Sequence, residues 1–109
     1  MIKVSIMYPN SVDKRFDFEY YQRKHIPLAI KLLGAHPEYK GISVERGQSG
    51  GAPGSEPTYV AVCHFTFTSI QDFIAAFKPN AEELQADIIN YTDIEPVTQF
   101  SSVEISESQ

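Results

Sequence analysis

The stretch Thr58-Tyr59-Val60-Ala61-Val62-Cys63-His64-Phe65-Thr66-Phe67 decides how this chain folds. Ten residues rich in β-branched and aromatic side chains, uninterrupted by glycine or proline, read as a β-strand. Successive strand side chains point to opposite faces, so Tyr59, Ala61, Cys63, Phe65 and Phe67 share one face and Val60, Val62, His64 and Thr66 the other. Neither face is polar enough to be left to water. The strand therefore belongs to a sheet covered on both sides.

The neighbouring segments supply the rest of that sheet. Residues 39 to 46 alternate in the same way and precede the 58–67 strand as its hairpin partner. Residues 47 to 57 lie between the two, and their glycines and prolines deny them either a helix or a ladder. A long mobile loop is expected there, acting as a flap or touching a partner. A phosphate site is not expected, because the loop has neither Gly-x-Gly-x-x-Gly nor a Gly-Lys-Ser/Thr ending and joins two strands rather than a strand to a helix.

Ile2, Val4, Ile6 and Tyr8 alternate with Lys3, Ser5 and Met7 to form a first strand, ended by Pro9-Asn10-Ser11. Between Asp17 and Leu33, Phe18, Tyr21, His25, Leu28, Ala29 and Leu32 recur at helical spacing, and Gly34 closes the helix. Pro27 predicts a kink or restart near His25 and Ile26. Ser69 with Asp72 starts a second helix through Phe73, Ala76 and Phe77. Pro79 breaks it, and Asn80 is positioned to cap a further piece carrying Leu84 and Ile88. A turn-rich run from Asn90 to Pro96 leads into a last strand, 97–105, before the polar tail 106–109.

The order is β-α-β-β-α-β. Its simplest packing is a ferredoxin-like α+β sandwich, a four-stranded antiparallel sheet with both helices on one face. The other face then needs cover, and a second copy packing sheet to sheet supplies it by symmetry. A homodimer is expected.

The 109 residues suit a single domain, 1–105, with 42% hydrophobic residues to build its core. A chain this short buries only roughly two-thirds of its unfolded surface, which favours association. Nine Lys and Arg against 14 Asp and Glu give a formal charge of −5 with no basic stripe, so a nucleic-acid partner is not expected. No apolar run is long enough for a membrane span or a signal peptide, and a soluble cytoplasmic protein is expected. Cys63, the single cysteine, reads as a small buried hydrophobe.

The local constellation richest in chemistry is Tyr20-Tyr21-Gln22-Arg23-Lys24-His25-Ile26-Pro27-Leu28. Tyr21 and His25, four apart, share a helix face, and a phenol beside an imidazole can bind an oxygen and move a proton. A structural reading stays open beside it, with His25 donating to a carbonyl freed by Pro27 and Tyr21 packed on the sheet. His64 points away from Cys63 and is a second acid/base candidate if its face lines a cavity. His36 belongs to a turn. Asp93 is explained by turn chemistry. No His-x-x-x-His pair exists, and no metal is expected.

Four blocks, taken together and in order, carry a resemblance: Val4-Ser5-Ile6-Met7-Tyr8-Pro9-Asn10; Phe16-Asp17 with Tyr20-Tyr21 and His25-Ile26-Pro27-Leu28; Gly50-Gly51-Ala52-Pro53-Gly54; and Asn90-Tyr91-Thr92-Asp93-Ile94-Glu95-Pro96-Val97. The chain resembles the EthD family over nearly its whole length. The resemblance implies a dimeric α+β barrel whose two sheets enclose a cavity for a small hydrophobic or aromatic molecule. By analogy it implies a cofactor-free enzyme of cyclase, decarboxylase, isomerase or monooxygenase type, with His25 as general acid or base, Tyr21 positioning an oxygen and His64 assisting. The alternatives are a non-catalytic accessory protein that sequesters a ligand for an oxidative catabolic pathway, and a haem protein using His25 or His64 as axial ligand.

Overall fold

The computed structural model describes residues 1–108. Strands β1 (Ile2–Pro9), β2 (Tyr39–Arg46), β3 (Tyr59–Phe67) and β4 (Val97–Ser102) form one antiparallel sheet in the order β2-β3-β1-β4. The two most apolar strands occupy the centre. Pairs such as Val4 with Phe65 and Ile6 with Cys63 place the alternating sets of β1 and β3 on a common face.

The helices cover that face. Helix α1 (Phe18–Tyr20) runs through a π-helical stretch, Tyr21–His25, into α2 (Ile26–Leu33). Helix α3 (Ile70–Phe77) continues through a 3₁₀ turn, Lys78–Asn80, into α4 (Ala81–Ala86), and a further 3₁₀ turn spans Ile88–Asn90. Ala29 and Leu33 from one side and Phe73, Ala76 and Leu84 from the other pack on Val4, Phe65 and Phe67. A large apolar side chain fully buried this way contributes about 1.5–3 kcal/mol. The expected sandwich is the observed one.

Several local expectations resolve differently. Ahead of Pro27 the α-helical pattern is interrupted and restarts at Ile26, as the proline suggested, though by a π-helical turn rather than by a break in the chain's helical course. The backbone stays helical at His25 and Ile26, and a single widened turn, in which the Ile26 amide donates to the Tyr21 carbonyl, leads into the proline, which sits in the first turn of α2. Asn80 does not cap α4; its amide donates to the Ala76 carbonyl at 2.8 Å and so closes α3 instead. Ser69 caps α3 as expected, accepting from the Asp72 amide at 3.1 Å and donating to the Asp72 carboxylate. The last strand stops at Ser102 rather than 105, where its pairing partner is Ile2, the first residue of β1. Val103 makes one further bond, to the Met1 carbonyl. The loop 47–57 is tied by backbone bonds from Gly50 to Ser55 and from Ser55 to Ala52, and Asn10 anchors its end at Pro57 and Thr58.

Candidate functional site

Four aromatic residues from separate parts of the chain meet at one end of the helix-covered face. Tyr8 comes from β1, Phe16 from the connection before α1, Tyr21 from the π-helical turn and Tyr91 from the segment before β4. Their rings lie 5.1–5.9 Å apart, mostly edge to face, the arrangement that opposes a ring's negative face to its neighbour's positive edge. The segment carrying Tyr91 is clamped to the stretch before α1. The Asp17 amide donates to the Tyr91 carbonyl at 2.7 Å, Thr92 Oγ1 donates to the Arg15 carbonyl at 2.7 Å, and Asp93 accepts from the Arg15 amide at 2.9 Å. Asp93 is therefore a structural carboxylate, as turn chemistry suggested.

His25 stands on this nest, 4.7 Å from the Tyr91 ring and nearly parallel to Tyr21 at 6.0 Å. Its Nδ1 lies 2.9 Å from Asp87 Oδ2, at a position between α4 and the Ile88–Asn90 turn. Both side chains are mostly buried, 11% and 15% exposed. The other Asp87 oxygen accepts from Tyr20 Oη at 2.6 Å and from Asn90 Nδ2 at 2.9 Å. Burial pulls the imidazole below its ordinary value of 6.5 and outweighs the attraction of Asp87. Burial also pushes Asp87 up, but the bonds it accepts from Tyr20, Asn90 and His25 prevail and hold the carboxyl below the usual range. At neutral pH the pair is a neutral imidazole on a carboxylate. A carboxylate only accepts, so Nδ1 carries the hydrogen and Nε2 keeps a free lone pair.

His25 lines an apolar cavity of about 140 Å³ between the helices and the sheet. Ile6, Tyr8, Tyr21, Cys63, Phe65 and Leu84 form much of its wall. Gln85 and Thr98 are its exposed lining residues, so it meets solvent between α4 and β4. A dry cavity of roughly 150 Å³ accommodates one benzene-sized ring.

The Tyr21 hydroxyl is buried and has no hydrogen-bond partner, the one such buried side-chain atom among the described residues. The Cys63 thiol lies beside it without completing a bond. Burial pushes the Tyr21 phenol well above its normal range and raises Cys63 to about 12, so both stay protonated.

The structure brings Tyr21 and His25 together and separates them from His64. His64 lies on the opposite sheet face, its Nδ1 2.7 Å from Ser5 Oγ and its Nε2 3.1 Å from Glu45 Oε1. The cavity lies on the Cys63 side of the sheet, within one chain. His36 organises the turn before β2, its Nδ1 accepting from the Glu38 amide at 3.1 Å. No group of three or more His, Cys, Asp or Glu among the described residues is placed to hold a metal, and no helix there is long and apolar enough to cross a membrane. Asp87, 62 residues from His25, is the member of the site that sequence spacing misses.

A four-stranded antiparallel sheet with helices on one side and an aromatic-walled cavity beneath them defines a ferredoxin-like α+β protein. The chain belongs to the EthD family: the EthD domain matches residues 10–95. It is similar to the crystal structure of an EthD-like protein from Ralstonia eutropha, with 41% identity over 98% of this chain and 95% of that one and a TM-score of 0.91. Two more distant structures share the fold alone. One is an EthD family protein from Bacillus halodurans, at 18% identity, TM-score 0.69, covering 94% of this chain and 97% of that one. The other is a proposed monooxygenase from Shewanella loihica, at 12% identity, TM-score 0.64, covering 96% and 95%. No curated protein matches the chain.

Proposed function

We propose that the cavity binds a small hydrophobic or aromatic molecule and that His25 Nε2 is the general base that accepts a proton from it. The observation that carries this reading is an imidazole whose Nδ1 is fixed by Asp87 while it lines an apolar cavity with its other nitrogen unbonded. Nε2 has no protein partner and is not a sealed atom, so a hydrogen-bond donor on a ligand in the cavity can reach its lone pair. The chain acts as a homodimer, with the sheet face bearing Met7, Val62 and His64 turned to the partner. Val62 and Met7 are only half-exposed on that face, which suits burial by a second sheet.

The test is thermal stability of wild type and His25→Ala against phenols, lactones and small aromatic ketones, followed by product analysis with any compound that binds. A ligand at about 100 times its dissociation constant adds roughly 2.7 kcal/mol, a shift of several degrees for a domain this size. Wild type is expected to be stabilised and to turn the compound over. His25→Ala is expected to remain folded and to lose about 10²–10⁴-fold in rate. Binding without turnover in the wild type would instead favour a ligand-sequestering protein. Sedimentation at the mass of one chain would refute the dimer.

A further inference from the structure

The proposed function leaves the ligand's chemistry open, but the hydrogen bonds behind His25 restrict it. A carboxylate at Nδ1 makes Nε2 an acceptor, so whatever meets it has to donate. The walls contribute no lysine, arginine or carboxylate, so an anion would be buried without a counter-charge, at a large desolvation cost. The volume admits one ring.

We infer that Asp87 makes this cavity a site for neutral, single-ring molecules that present a hydroxyl to His25 Nε2, in preference to ethers, ketones or carboxylates of the same size. This rests on the reading of the cavity as a ligand site. Asp87 is a positioning residue in this scheme: it touches no ligand and acts by choosing the imidazole tautomer.

The arrangement around Asp87 makes that role separable from structure. Tyr20 Oη and Asn90 Nδ2 both donate to Oδ1, while His25 approaches Oδ2. In Asp87→Asn the two donors hold the amide oxygen in the Oδ1 position, and the NH₂ group is left facing Nδ1. It can only donate there. The imidazole hydrogen then moves to Nε2, and the cavity presents a donor instead of an acceptor.

The experiment compares the isomers p-cresol and anisole, with benzoate as the anionic control, by titration against the full chain, and reads the His25 tautomer by ¹⁵N NMR. Wild type is expected to show the Nδ1–H tautomer and to bind p-cresol at least about tenfold more tightly than anisole, which is about 1.4 kcal/mol and within the range of one hydrogen bond. Benzoate is expected to bind more weakly than either. Asp87→Asn is expected to show Nε2–H and to bring the p-cresol to anisole preference to one or below. Equal binding of the isomers by wild type, or an unchanged preference in a folded Asp87→Asn, overturns the inference while leaving the cavity a ligand site. Failure of all three compounds to bind wild type overturns both. If Asp87→Asn does not fold, the wild-type tautomer decides, and Nε2–H there overturns the inference.

Discussion

At the scale of single residues, three buried tyrosines make opposite predictions. Tyr8 and Tyr91 share a 2.6 Å hydroxyl–hydroxyl hydrogen bond, whereas the Tyr21 hydroxyl has no partner. Removing one member of a buried pair strands the other, at a cost of about 1–3 kcal/mol, while deleting an orphaned group is neutral or favourable. Urea denaturation should therefore show Tyr8→Phe destabilised by that amount and Tyr21→Phe unchanged or more stable. A large loss in Tyr21→Phe would mean that its hydroxyl has a structural partner after all. The Tyr21 and His25 pairing was legible from their spacing, because both lie in one continuous helix. Asp87 was not. It reaches His25 only through the packing of α4 against the first helix, and no local pattern encodes a contact 62 residues distant.

At the scale of elements, apolar alternation located β1 and β2, a β-branched and aromatic run located β3, and the turn-rich run before Val97 placed β4, with glycine and proline clusters marking the breaks. Two backbone devices escaped that reading because they leave the alternation nearly intact. The π-helical turn at Tyr21–His25 keeps both side chains on one face, so its residues look α-helical in sequence. In β2, the register slips by one residue between Tyr39 and Gly41, and Gly41 takes φ of 136°, where a side chain is strained. Nothing crowds the position of a Cβ there, so the cost of a substitution is one of backbone conformation alone. Gly41→Ala should lower stability by about 1–3 kcal/mol with no change in fold. An unchanged denaturation midpoint would show that the bulge tolerates other conformations.

At the scale of the whole molecule, the layer arrangement followed from the order of elements, since a β-α-β-β-α-β chain has few ways to cover an apolar sheet face. The side of the sheet that holds the cavity did not follow. The second face of β3 was apolar enough to draw attention to an interior between two sheets, whereas the cavity lined by His25 lies on the helix side, among residues that β1, β3, the first helix, α4 and β4 bring together. Burial of the His25 and Asp87 pair also couples the site to global stability. Both groups bind protons less well in the folded state than in the unfolded chain, so the stability they contribute is present at neutral pH and falls on acidification. The loss through His25 begins as pH drops through 6.5, and that through Asp87 as it drops through 3.8. Melting temperatures followed downward from pH 8 should decline below about 6.5 in wild type, and His25→Gln should flatten the first part of that decline. An identical profile in the variant would place the acid sensitivity elsewhere.

The most direct measurement is ¹⁵N NMR of histidine-labelled protein titrated with p-cresol. A saturable change is expected at His25 Nε2, with little change at His25 Nδ1 and still signals from His64 and His36. A response at His64, or none at any histidine while the ligand binds, would contradict the placement of the site at His25 and Asp87.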